Sequence, residues 1–295
     1  MHRVVSLIFI CTLTLLSAGC ITESPVQAED AGIDLITPVD GFSIFEGQGV
    51  YIGLIGEETP DIVINYSLGH VIIPPGNATP PHRLIGSSEF ICLTGGEAEI
   101  RCDNITVNVR EGEVVILPEG VLQSIVAVGD AKLHYIDVIQ TPFSSAIEVS
   151  GDKLADLTSG TDDGGRDGVP IVIPDPREGI EWNIGSDMML YTLANPVLMP
   201  EMNFPIEYSV AYAELLQGGS ADYNRLTGAS ELIYVIEGEV EVFTPAGNVI
   251  RVPAGSAGYI APDQVKGYRN AGESMATILS FVDPAWTPER SVMVE

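Results

Sequence analysis

Apolar and polar positions alternate in short runs along most of this chain, and Gly, Pro, Asn or Asp bounds nearly every run. Runs at 62–66, 70–73, 89–93, 97–102, 105–109, 114–117 and 132–139 are rich in Val, Ile, Tyr and Phe and predict strands. A second set follows at 209–215, 231–236, 239–244, 249–252, 258–260 and 275–282. The two sets are copies of one unit. Tyr66-Ser67 answers to Tyr208-Ser209, Gly76 to Gly218, Glu89 to Glu231, Gly96-Glu97 to Gly238-Glu239, and Phe143 to Trp286. A repeat of about 140 residues is too long for a solenoid unit and suits a duplicated domain. Many short strands with regular Gly/Pro punctuation predict an all-β fold of sandwich or barrel type. The turns at 94–97 and 236–239 read as hairpins. In the first, that register sets Glu89 opposite Cys102. Cys102 and Ile100 then share the inward face of Glu89 while Cys92 points outward, which disfavours a Cys92–Cys102 disulfide.

Between the copies, residues 158–168 (TSGTDDGGRDG) form an acidic, glycine-rich connector with nothing to bury. The expected organisation is a targeting segment over 1–20, a tether over 21–31 and a first domain over 32–150. A linker over 151–168 and a second domain over 169–295 complete it. The whole chain has 295 residues, of which 31 are Gly and 20 are Pro, in keeping with strands and turns. With 13 basic against 41 acidic residues the net charge is −28, so the chain lacks the basic stripe that nucleic acid requires. Only Lys132, Lys153 and Lys266 are lysines.

The N-terminus changes the expected compartment. Arg3 precedes an apolar stretch over 4–16, too short for a comfortable membrane span. It closes Leu16-Ser17-Ala18-Gly19-Cys20, which resembles the lipobox of prokaryotic lipoproteins, with Ser17 where an apolar residue is usual. The resemblance implies an extracytoplasmic protein held to the membrane by a lipid on Cys20. A plain secretory signal cut near Ala28 is the alternative. Asn65, Asn77 and Asn104 each begin a glycosylation-type triplet, with Asn77 best placed in a Pro/Gly-rich loop.

The residues from Gly76 to Gly96 carry a second resemblance, to the cupins and in particular to two-domain bicupins. The first cupin motif runs Gly, five residues, His, one residue, His, three or four residues, Glu, six residues, Gly. This chain supplies Gly76, His82, Leu84 in place of the second His, Glu89 and Gly96. The second motif is met by Gly112, Pro118-Glu119-Gly120, Gln123 in place of the third His, and Ala127 in place of Asn. In the other copy Asn224 and Leu226 stand at the two His places, Glu231 at the Glu place and Lys266 at the last His place, with Asn270 closing the motif. The fold implied is two cupin-type β-barrels, or jelly rolls, in tandem. Cupins hold a divalent ion such as Mn, Fe, Ni, Cu or Zn on those His and Glu positions.

The carried-over candidate ligands are His82, Glu89 and Gln123 in the first barrel, with Cys102 a lesser candidate. In the second barrel Lys266 sets a cation where a metal would bind and can pair with Glu231, so no metal is expected there. His70 and His134 read as structural histidines, and Tyr212, Tyr223, Tyr259 and Tyr268 as residues lining the second core or cup. Three functions remain open. One is a surface-anchored bicupin with a degenerate metal site that binds a small ligand or is structural. Another is a metal-dependent oxygenase, isomerase or hydrolase working in the first barrel. The third is a solute-binding lipoprotein that passes its ligand to a transporter. The expected partners are a small molecule, the membrane through the lipid anchor, and further copies of the chain, without nucleic acid.

Overall fold

The protein is described by a computed structural model over residues 32–56, 59, 62–154 and 168–294. The signal-like segment with Cys20, the tether and residues 155–167 of the connector lie outside the described residues. Twenty-three strands and three short 3-10 turns make up the regular structure among the described residues. The expected all-β architecture of two cupin-type barrels in tandem is what the chain forms.

The first barrel is built from two sheets. In the smaller, Glu148–Ser150, His82–Leu84, Gln123–Val128, Glu97–Cys102 and Ile105–Arg110 lie side by side. The larger runs Ile171–Ile173, Val114–Leu117, Ser88–Gly95, Leu133–Gln140, Ser67–Ile73, Gly49–Ile55 and Phe42–Ile44. Their facing side chains, among them Ile91, Leu93, Ile100, Cys102, Ile125 and Tyr135, fill the barrel.

The second barrel is one eleven-stranded sheet curled on itself. The difference has a local cause. Ser209–Leu226 is a single 18-residue strand that pairs first with Ala276–Asp283 and then with Lys266–Asn270, passing from one wall to the other. Gly218 (φ +75°) lets the strand bend at the corner. In the first copy the matching stretch holds Pro74, Pro75, Pro80 and Pro81, which have no N–H for a ladder. There the strand divides into Ser67–Ile73 and His82–Leu84.

One expectation needs correction. Residues 94–97 and 236–239 do not close hairpins. Ser88–Gly95 pairs with Val114–Leu117 and Leu133–Gln140, whereas Glu97–Cys102 pairs with Gln123–Val128 and Ile105–Arg110 in the other sheet. The chain turns a corner between sheets at Gly96 (φ +79°), where a Cβ would fall 2.5 Å from the Lys132 carbonyl oxygen. Cys102 nevertheless faces the barrel interior and Cys92 the opposite side, and both are free thiols.

The leading strands cross between the barrels. Ile33–Ile36, from the segment assigned to the first domain, pairs with Ala257–Ile260 of the second barrel. Reciprocally, Ile171–Ile173 pairs with Val114–Leu117 of the first barrel. Each copy thus lends its leading strand to the other barrel, at equivalent edges.

A shared core joins the barrels. Leu68, Phe90, Cys92, Ile136 and Val138 on the outer face of the first meet Leu232, Tyr234, Leu279 and Phe281 of the second. Tyr66 and its equivalent Tyr208 pack with tilted rings, 4.9 Å between ring centres. Strands such as Leu133–Gln140 are therefore buried on both faces, which is why they read as nearly continuous apolar runs.

Candidate functional site

Inside the first barrel, the cross-strand pairing of Gln123 with both His82 and Cys102 brings three sequence-selected residues into one row. Glu89 enters from the facing sheet. The His82 Nδ1 lies 2.8 Å from the Pro80 carbonyl oxygen, which fixes the proton on Nδ1 and leaves the Nε2 lone pair facing inward. The Gln123 amide nitrogen donates to that Nε2 at 3.2 Å and to Glu89 Oε2. Gln123 is thus a donor hub for both neighbours. Cys102 lies apart from this exchange, its Sγ 3.3 Å from the Gly168 carbonyl oxygen. Burial pushes its thiol up to about 12, so it stays protonated and a poor ligand.

Asp137 was missed from sequence. It lies on the inward parity of Leu133–Gln140, shares a side-chain hydrogen bond with Glu89, and leaves Oδ1 unpartnered. Burial pushes Asp137 well up and the adjacent Glu89 adds to the rise. Burial also raises Glu89, a rise that His82 and the hydrogen bonds from Asp137 and Gln123 partly offset. Asp137 and Glu89 thus form a close buried carboxyl pair in which burial and mutual repulsion disfavour charge on both. The signal was present: a charged residue on the core-facing side of a strand, aligned with Ser280 in the other copy.

Leu84, at the second His place, is only 3% exposed and packs as a core residue. Among the described residues no group of three or more His, Cys, Asp or Glu side chains is arranged to hold a metal ion. The donor set points the same way. Gln123 turns its N–H groups to the His82 Nε2 and to one oxygen of Glu89, and so presents its nitrogen, not its carbonyl oxygen, to both potential ligands. As arranged, His82, Glu89 and Gln123 satisfy one another and do not fit a divalent cofactor.

The second barrel repeats this connectivity with a charge added. Lys266 pairs across strands with Asn224, as Gln123 does with His82. Its ammonium lies 3.0 Å from Glu231 Oε2 and donates to Asn224 Oδ1 at 2.6 Å. Lys266 is 1% exposed. Tyr268 Oη donates to Glu231 Oε2 at 2.6 Å, and Ser280 Oγ to Oε1 at 2.7 Å. Burial would push Glu231 up, but the Lys266 charge and these hydrogen bonds together hold it below its ordinary value. The result is a neutralised, buried ion pair. Leu226 packs with Ala229, Val282 and Trp286.

Above that pair the second barrel keeps a cavity of about 150 Å³. Trp182 and Trp286 line it, their rings edge to face at 5.5 Å. Tyr212 is bound to Glu214 away from the ion pair and Tyr223 to the Thr244 carbonyl, while Tyr259 packs in the inter-barrel core. Of the four tyrosines singled out from sequence, Tyr268 alone is bonded to the second-barrel carboxylate. His70 and His134 lie together at 5.4 Å on the outer face of the first barrel, away from Glu89.

These two barrels, each with an inward carboxylate held by a donor from the same strand position, define a duplicated cupin-type fold. Comparison with known proteins agrees. Residues 69–139 match the cupin domain family. No curated protein matches the chain in sequence. Among solved structures, an oxalate decarboxylase of Bacillus subtilis aligns over 86% of this chain and 78% of its own, with TM-score 0.67 and 16% identity. A Lactobacillus farciminis oxalate decarboxylase in a formate complex aligns over 90% and 89%, with TM-score 0.67 and 14% identity. At these identities the similarity defines the fold and leaves the chemistry to this chain's own residues.

Proposed function

We propose that this chain is a surface-anchored bicupin that binds a small molecule in its second barrel, while the first barrel is mainly structural. The carrying observation is the contrast between the two interiors. The second has an apolar cavity beside the neutralised Glu231–Lys266 pair. In the first, His82, Gln123, Glu89 and Asp137 are bonded to one another and the Phe45 ring lies 5.7 Å from that of His82. The lipobox-like Cys20 supports the surface location, and replacing it by alanine should release the protein into the soluble fraction.

The competing reading is a metal enzyme in the first barrel, with Mn, Fe, Ni or Zn on His82, Glu89 and Gln123 acting as a Lewis acid. It draws on the inward Nε2 lone pair of His82 and on the oxalate decarboxylases that share the fold. It requires Gln123 to turn its amide oxygen inward. Elemental analysis of protein expressed from residue 21 onward, beside a His82→Ala variant, decides between them. We expect well under one metal per chain in both. Near-stoichiometric metal that disappears in the variant overturns the structural role of the first barrel.

A further inference from the structure

The polar lining of the second-barrel cavity specifies what it can accept. Glu231, Tyr268, Ser280 and Asn224 supply that lining around the ion pair, and Thr192, Asn195, Ser209 and Ser291 add polar groups elsewhere on the wall. A carboxylate has about four acceptor positions. Glu231 uses two on Oε2, for Tyr268 and Lys266, and one on Oε1, for Ser280, which leaves one. The hydroxyl protons of Tyr268 and Ser280 are both spent on Glu231. Asn224 gives its oxygen to Lys266 and one N–H to the Asp222 carbonyl, which leaves one N–H. Beside the ion pair, Glu231 therefore keeps one open acceptor position and Asn224 one open N–H.

Most of the remaining wall is apolar. Ile184, Met188, Leu190, Leu226 and Ile278 line the space, with Trp182 and Trp286 beside them. The two tryptophans are held in place. Trp182 Nε1 donates to Thr192 Oγ1 at 3.0 Å, and the Trp286 backbone is bonded at both its N–H and its carbonyl. A cavity of about 150 Å³ holds a molecule about the size of benzene.

We infer that the second barrel binds a small neutral ring compound carrying one hydroxyl, a phenol or cyclic alcohol; this rests on the second barrel being a ligand site. A hydroxyl both donates to Glu231 and accepts from Asn224. A carboxylate or other anion would bring a second negative charge beside Glu231. A cation would upset the neutrality that Lys266 already provides.

The chain contains two tryptophans and both line the cavity, so their indole N–H signals report on it directly. Protein labelled with 15N-tryptophan would be titrated with phenol, toluene and benzoate, with calorimetry alongside. Phenol should move both indole signals and saturate. Toluene, which lacks the hydrogen bond, should bind about tenfold more weakly. Benzoate should not saturate. Toluene or benzoate binding as tightly as phenol overturns the assigned ligand class and leaves the cavity a ligand site. If no compound moves either signal, the ligand class and the second-barrel reading fall together. Ala221→Phe and Ile278→Phe each fill the cavity. Undiminished phenol binding in a folded member of this pair would place the ligand elsewhere and also overturn the inference.

Discussion

Replacing Lys266 by methionine keeps most of the side-chain bulk, removes the charge, and strands the Glu231 carboxylate inside the second barrel. Breaking one side of a buried pair costs about 3–5 kcal/mol, and urea denaturation should read that loss. The double variant Lys266→Met with Glu231→Gln should regain most of it, since no charge is left unpaired. Acid should act through the same pair. The folded pKa of Glu231 lies below its ordinary 4.5. Its contribution is therefore complete above about 4.5 and lost as pH falls through the folded value. His70 supplies a separate acid response. Burial and the neighbouring His134 lower it from 6.5 to about 4, and its Nε2 has no partner. The unfolded chain binds the proton first, so stability should decline between pH 6.5 and about 4 and change no further through this group below that. In the His70→Phe variant that segment of the pH profile should flatten. At this scale the sequence exposed Glu89 and Glu231, because a carboxylate on an inward strand position must find a partner. Asp137 escaped notice because no metal-binding motif includes it, although strand parity alone turns it toward Glu89.

Single strands tell a different story. Alternation shows which side of a strand faces inward but not which strand lies beside it. That is why Cys102 was placed on the correct face by a hairpin that does not exist. The exchange of leading strands was equally invisible, since Ile33–Ile36 and Ile171–Ile173 look like ordinary short strands of their own copies. It has a measurable result. Ile171 and Ile173 pack against the shared core while pairing with the first barrel. Replacing both by alanine should cost about 1–2 kcal/mol per site, below the fully buried range because both are half-buried. Amide hydrogen exchange should then quicken in Val114–Leu117, in the other copy. If exchange quickens only within residues 171–173, the pairing contributes little.

Across the whole molecule, the shared core and the exchanged strands tie the barrels into one folding unit. Calorimetry should show one transition for the intact chain. A fragment of residues 169–295 lacks Ile33–Ile36 and exposes both the Ala257–Ile260 edge and the face around Phe281, so it should aggregate. The net charge of −28 acts at the same scale. Self-repulsion is screened by salt, so the melting temperature should rise as ionic strength increases.

The crossed leading strand also sets the route by which force enters the protein. Any pull on the N-terminus arrives first at Ile33–Ile36, and so at the second barrel. From Cys20 to Gly32 the chain spans at most roughly 40 Å when fully stretched. With a lipid on Cys20, the cavity-bearing barrel would be the one leashed close to the bilayer and the one that takes the strain. The first barrel would be carried behind it through the shared core.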